Sequence, residues 1–392
     1  MASDGEPLIV IGDPEQDRYA RLRLMDGYRQ DVIERVRIMG GGAGALGNEV
    51  LKNLALLGAG HLFVVDFDTI EISNLTRSIL YRADDRGRSK AEVAAERVRQ
   101  INPDVKAIPW KGNIAHEVGL GVFRQMDIVF GCLDNREARL AVNRACWRVG
   151  VPWIDGALNV ADGSVRVFIP RSGGACYECL MTKQDYALLQ IRYACPPATL
   201  MEGVAITTPM SASIIGAMQV QEAVKLLHGI PVDGGQGVYY SAETLRTTHV
   251  AYPRRADCPA HQAYERVIRV EQSVAALTVG DVMRIAGEHL EGKAVLALPA
   301  PVVTALYCPR CDQPETVYRP YRDIVPGAVP CPVCGTERIY DAASSIASGQ
   351  TTHDIPLVQL GFPPLDILDV RAGRTHLYLE LGGDQAQVLV GW

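Results

Sequence analysis

The sequence predicts an α/β protein: a nucleotide-binding core followed by a smaller metal-stabilised domain. Three observations carry that reading. A glycine turn joins an apolar strand to an apolar helix within residues 36–57. An acidic residue, Asp66, closes the next apolar strand. Far downstream, two Cys-x-x-Cys pairs stand close together at 308–311 and 331–334.

The stretch 36–90 organises the chain. Val36-Arg37-Ile38-Met39 reads as a strand, and Gly42, Gly44 and Gly47 fit the G-x-G-x-x-G spacing. The first glycine permits a tight turn, the second lets backbone approach a phosphate, and the third lets helix pack on strand. Leu46, Val50, Leu54 and Leu57 recur at helical steps until Gly58 and Gly60 stop the run. The helix N-terminus offers N–H groups to an anion. Residues 61–65 form the second strand. Asp66 follows about 20 residues after the turn, where a carboxylate holds ribose hydroxyls. To this point NAD fits as well as ATP.

The next residues favour a triphosphate. Asp66-Phe67-Asp68 leads to Asn74-Leu75-Thr76-Arg77 and then to Ser89-Lys90. A dinucleotide site needs no arginine and lysine here. Two cations beside a triphosphate neutralise its β- and γ-phosphates and the departing pyrophosphate. Ser89-Lys90-Ala91-Glu92 reads as a capping box, which sets Lys90 in a first helical turn. A lysine there opposes the helix dipole unless an anion is near.

Glycine turn, Asp-x-Asp, Asn-Leu-x-Arg, Ser-Lys and Leu133-Asp134-Asn135 occur in an order that resembles the ThiF/MoeB and ubiquitin-activating-enzyme superfamily, over roughly residues 18–261. Asn74-Leu75-Thr76-Arg77-Ser78 departs from the usual Asn-Leu-Asn-Arg-Gln. The resemblance implies a Rossmann-like adenylation domain with a mixed sheet, binding ATP and Mg2+. It assigns ATP contacts to Gly42, Gly44, Gly47, Asp66, Asp68, Asn74, Arg77, Lys90 and Asp134, with Asp134 holding the magnesium. A hard carboxylate suits that hard cation. It also places Arg21, in Arg18-Tyr19-Ala20-Arg21, in the nucleotide site of a partner subunit, which implies a homodimer or a paralogous pair.

The elements that follow are read in order. The helix opened by Lys90 runs through Ile101 until Asn102-Pro103 breaks it. Residues 105–109 suggest a strand, 118–126 a helix, and 127–133 an apolar strand. That strand sets Asp134 at a C-terminal strand end, where open α/β sheets bind ligands. A helix covers 135–149, and Asp134 is a candidate for its cap. Residues 151–158 and 163–170 read as strands, and the resemblance implies an antiparallel extension of the sheet. Thr207-Thr208-Pro209 opens a helix over 210–228.

Cysteines supply two further expectations. Cys176 and Cys179 with Cys258 and His261 correspond to the structural zinc site of many superfamily members, although the second pair there is usually Cys-x-x-Cys. Four N/S donors in two close pairs suit tetrahedral zinc. Cys308, Cys311, Cys331 and Cys334, with 19 residues between the pairs, form a zinc-ribbon pattern. Cys195 lies in a Pro-Pro loop that a helix cannot cross, and a loop thiol is available to react. In thioester-forming relatives the nucleophile lies in this crossover region. Cys132 and Cys146 read as buried.

Composition sets the outer bounds. Of 392 residues, 48% are hydrophobic and 21% charged, as in an ordinary soluble protein. The net charge of −6 argues against nucleic acid as the main partner. The polar start argues against a signal peptide, and no run reaches the ~18 apolar residues of a membrane span. Ten cysteines without a secretory signal point to metal sites and a cytoplasmic setting. A composition change near Tyr264 separates a zinc-ribbon-containing domain (265–392) from an adenylation domain (31–264), which an N-terminal arm and helix (1–30) precedes.

The resemblance therefore implies ATP-dependent adenylation of the C-terminal glycine of a ubiquitin-like protein. Thioester formation on Cys195 and hand-over to a conjugating enzyme would follow. Standalone enzymes of this kind occur in bacterial ubiquitin-like operons, some linked to phage defence. The alternative is a MoeB/ThiF-type sulfur-carrier adenylyltransferase without a stable thioester. A nonenzymatic scaffold and an NAD-dependent oxidoreductase are disfavoured by the Arg77, Lys90 and Asp134 set.

Overall fold

The computed structural model describes residues 17–187, 207–324, 329–349 and 352–392. A first, eight-stranded sheet has the order β3-β2-β1-β4-β5-β6-β7-β8. Its parallel half comprises β1 (Arg37–Gly41), β2 (His61–Val65), β3 (Lys106–Trp110), β4 (Ile128–Gly131) and β5 (Trp153–Asn159). β6 (Asp162–Phe168), β7 (Gln236–Ser241) and β8 (Arg246–Ala251) continue it antiparallel, so the sheet is mixed.

The central strands are buried on both faces, which is why they read as continuous apolar runs rather than alternating ones. Ile38, Leu62, Ile128 and Phe130 meet Leu46, Val50 and Leu54 of α1 (Ala45–Leu57) and Val93 and Val98 of α2 (Lys90–Ile101) on one face. Met39, Phe63 and Val129 meet Val142 and Trp147 of α3 (Arg136–Val149) on the other. Helix α4 (Pro209–Leu227) adds Ile215 and Val220 to the first face, and Thr208 and Ser211 close a capping box at its start. The capping box expected at 89–92 forms only in half. Ser89 Oγ accepts from the Glu92 N–H at 3.5 Å, without the reciprocal Glu92 arm. Asn135, not Asp134, caps α3, its Oδ1 accepting from the Ala138 N–H at 2.8 Å.

Residues 267–381 build a second sheet of order β11-β10-β13-β14-β9, with β12 on β10. It comprises β9 (Val267–Val270), β10 (Val295–Tyr307), β11 (Pro314–Pro320), β12 (Ile339–Ala347), β13 (Ile367–Ala372) and β14 (Thr375–Leu381). Helix α5 (Val279–Gly287) lays Val282, Met283 and Ala286 on Leu296, Leu368 and Leu379, giving this part its own core.

The two sheets are joined by close backbone approach. The Gly121 N–H donates to the Leu365 carbonyl at 2.9 Å. A Cβ at Gly119 would lie 2.4 Å from that same oxygen, so the contact requires glycine. Arg124 pairs with the fully buried carboxylate of Glu380. Leu365, Val388 and Leu389 enter the core beneath the first sheet, and Trp392 sets its ring edge-on to Phe63. Among the described residues no helix is long and apolar enough to cross a membrane.

Candidate active site

The glycine turn lies at the C-terminal end of β1. Gly42 has φ +95°, a left-handed conformation suited to glycine. A Cβ on Gly47 would lie 2.0 Å from the Gly42 carbonyl oxygen, and one on Gly42 2.4 Å from the Cys132 carbonyl. These two glycines therefore serve the packing of turn, α1 and β4. Gly44 differs: it caps α1, and a Cβ there would meet nothing within 4 Å. It borders the open space into which the helix N-terminus points.

Side chains brace this turn. The Asn48 amide donates to the carbonyls of Ala43 and Gly44 at 2.7 and 2.9 Å, and its oxygen accepts from the Leu80 N–H at 2.8 Å. The Tyr81 hydroxyl donates to the Ala43 carbonyl at 2.6 Å. Neither residue was singled out by sequence. Asn48 carried a weak signal, a polar residue within an otherwise apolar helix, whereas Tyr81 carried none.

Asp66 binds backbone on both oxygens. Oδ2 accepts from the Ala43 N–H at 2.7 Å and Oδ1 from the Asp68 N–H at 2.8 Å. Burial raises its carboxyl, against these donors and Lys90. Each oxygen keeps a lone pair able to accept a further hydrogen bond. An antiparallel bridge between Thr69 and Ser89 then draws Lys90 over Asp68, with Nζ 2.7 Å from Oδ2. Turn, Asp66, Asp68 and Lys90 thus form one bonded chain.

Arg77 ends the 3-10 turn Ile72–Thr76 and donates to the carbonyl of Ser73 at 2.7 Å. Asn74 Oδ1 accepts from the Glu71 N–H at 2.9 Å. Both contacts are local and do not tie these side chains to Lys90. Asp134 is exposed one residue before the α3 cap, with Oδ1 accepting from Asn135 Nδ2 at 3.0 Å. One exposed carboxylate at a strand end fits Mg2+, which keeps waters and takes its other ligands from substrate phosphates. Arg21 is exposed beside the turn Leu22–Leu24. Cys195 lies outside the described residues. Cys146 is buried as expected, whereas Cys132 is only partly buried; desolvation pushes both thiols above the ordinary range, which makes both poor nucleophiles.

Both cysteine clusters close in space. Cys176, Cys179, Cys258 and His261 hold their donor atoms within 4.8 Å of one another, as do Cys308, Cys311, Cys331 and Cys334. Cys176 Sγ lies 3.7 Å from Cys179 Sγ and 3.5 Å from Cys258 Sγ, and Cys179 Sγ lies 3.4 Å from His261 Nε2. Zn–S bonds of about 2.3 Å in a tetrahedron require about this spacing. Burial and nearby Arg254 lower the His261 pKa, which favours the neutral imidazole a metal needs. The imidazole stacks on Trp147 with ring centroids 5.0 Å apart.

A glycine turn feeding a helix at the end of β1, Asp66 closing β2 and Lys90 paired to Asp68 define an α/β protein of the Rossmann-like type. The chain belongs to the ThiF family, whose model matches residues 16–260. The SAMP-activating enzyme E1 of Haloferax volcanii is 34% identical over 256 residues, 62% of this chain and 87% of that one. The sulfur carrier protein adenylyltransferase of Thermus thermophilus is 32% identical over 254 residues, covering 62% and 90%. The molybdopterin-synthase adenylyltransferase of Salmonella typhimurium is 30% identical over 253 residues, covering 63% and 97%. The crystal structure of E. coli MccB with ATP shares the fold, with a TM-score of 0.52 and 22% identity over 64% of this chain and 75% of that one. These relatives make the chain an enzyme of the adenylyltransferase and activating-enzyme kind.

Proposed function

We propose that the chain adenylates the C-terminal glycine of a ubiquitin-like or sulfur-carrier protein. The observation that carries this is the bonded chain from glycine turn to Lys90, with Asp134 following β4, the strand that pairs with β1. The turn and the first N–H groups of α1 hold phosphates, and Asp66 takes the ribose. Lys90 and Arg77, with Asn74 beside them, shift from their local partners to the triphosphate and the departing pyrophosphate. Mg2+, held by Asp134, would neutralise phosphate charge. The carrier carboxylate attacks the α-phosphorus in line. A P–O bond forms, the bridging P–O bond breaks, and pyrophosphate leaves with its electron pair. Positioning and charge neutralisation do this work, not acid–base catalysis.

Two fates for the acyl-adenylate remain in play. Cys195 can take the acyl group as a thioester and pass it to a conjugating enzyme, or the adenylate can be consumed without a thioester. Relatives named for sulfur carriers and molybdopterin synthase support the second fate at least as well as the first. The acyl-adenylate is common to both fates. Residues 265–392 would act as a recruitment domain, with each cysteine cluster holding one zinc. Pairing of two copies, with Arg21 of each reaching the other's site, completes the reading.

ATP–pyrophosphate exchange tests it. Exchange should depend on a small carrier ending in glycine and be lost in Asp134→Asn. Absence of exchange with every such carrier overturns the proposal. A thiol-sensitive adduct lost in Cys195→Ala would select the first fate. Exchange restored on mixing Arg21→Ala with Lys90→Ala chains would support the paired site.

A further inference from the structure

Strands β4 and β5 pair only from Val129↔Trp153 to Gly131↔Asp155. β4 ends there, while β5 runs on to Asn159 paired with β6, so Leu133 and Gly156 lie beyond the β4–β5 ladder. Two side chains cross the gap. From α4, the Gln219 amide donates to the carbonyls of Gly131 and Ile154 at 3.2 and 2.9 Å. From the first turn of α3, Arg139 Nη2 donates to the Leu133 carbonyl and, at 3.2 Å, to that of Gly156.

Arg139 is itself held. Its Nε lies 3.0 Å from Oδ1 of Asp155, which is fully buried. Asp155 Oδ2 takes a second guanidinium from Arg166, its cross-strand partner on β6. Arg166 lies over the Tyr177 ring, 5.3 Å from its centroid. A buried carboxylate between two guanidiniums costs desolvation, which is offset only where geometry is fixed on every side. Arg139 meets that condition with three acceptors, and one of them is the peptide oxygen immediately before Asp134.

We infer that Arg139 is a positioning residue, which fixes the Leu133–Asp134 peptide so that the Asp134 carboxylate is set for a metal–triphosphate complex. Asp155 and Arg166 hold it in that role. The fork matters beyond the charge: lysine would keep a cation beside Asp155 but could not bridge two carbonyls as well. The inference rests on the adenylation reading for its ligand.

The test measures affinity for a nonhydrolysable ATP analogue, with Mg2+ and with EDTA. Mg2+ should tighten binding by the wild type. Arg139→Ala should lose about tenfold of that gain, with affinity in EDTA unchanged. Arg139→Lys should lose it likewise, and it serves if the alanine variant does not fold. In an Asp134→Asn background, Arg139→Ala should cost nothing further. An unchanged Mg2+ gain in both Arg139 variants overturns the inference, as does full additivity with Asp134→Asn. A wild type that binds no Mg·ATP overturns the adenylation reading and this inference with it. Failure of the inference alone leaves wild-type binding intact.

Discussion

Lys90 Nζ lies 2.7 Å from Asp68 Oδ2, and the Asp68 N–H in turn donates to Asp66. The lysine therefore rests on a carboxylate that is half exposed. Lys90→Ala should reduce ATP–pyrophosphate exchange on the order of a hundredfold. Its effect on unfolding should stay near ~1 kcal/mol or below, because a partly exposed ion pair contributes little. Exchange kinetics and urea titrations read the two effects separately.

Gly44 and Gly47 should fail in opposite ways. Gly47→Ala drives a methyl into the Gly42 carbonyl and should destabilise the fold by about 1–3 kcal/mol. Gly44→Ala meets no protein atom within 4 Å. It should leave the melting temperature unchanged and weaken ATP binding, because its methyl enters the anion space. Melting curves with and without nucleotide distinguish them.

Metal content should follow the clusters independently. The purified chain should carry two zinc ions. Cys176→Ser and Cys308→Ser should each lose one. His261→Cys should keep two, since four thiolates serve zinc as well as three and an imidazole. Elemental analysis of each variant provides the count.

Asp366 should make the contact between the sheets sensitive to pH. Its carboxylate accepts from the Leu120 N–H at 2.9 Å, and burial pushes its pKa up to about 6 from 3.8. A folded-state value above the unfolded one favours the native state only while the group is protonated. On the order of 3 kcal/mol is thus present at low pH and lost as pH rises through about 6. Asp366→Asn should flatten the stability profile between pH 4 and 6 and raise stability at pH 7. Denaturant titrations across that range check both.

Much of this was legible because it is local. The turn, α1, β2 and Asp66 follow from spacing within one βαβ unit, and Ser89 opens α2 where its sequence says. The metal clusters were legible because their ligand pairs are short motifs. What escaped depends on pairings distant in sequence. Asp155 reads as a lone charge in an apolar strand, and only the β5–β6 register sets Arg166 across from it. Tyr81 reaches the Ala43 carbonyl 38 residues away. The second sheet escaped for the same reason: β9 pairs with β14 across more than a hundred residues, which no local pattern encodes. Asp134 was expected at a strand end, but its release from capping duty depends on Asn135 taking that bond.

The stacking of Trp147 on His261 should give the first cysteine cluster an optical readout. An indole against an imidazole changes its emission when that ring gains a proton or leaves, because charge and contact alter excited-state quenching. Stripping zinc from a loaded cluster should therefore shift fluorescence before the chain unfolds, and Trp147→Phe should abolish that early phase. The molecule would report the state of its own clasp to a fluorimeter, with no dye attached.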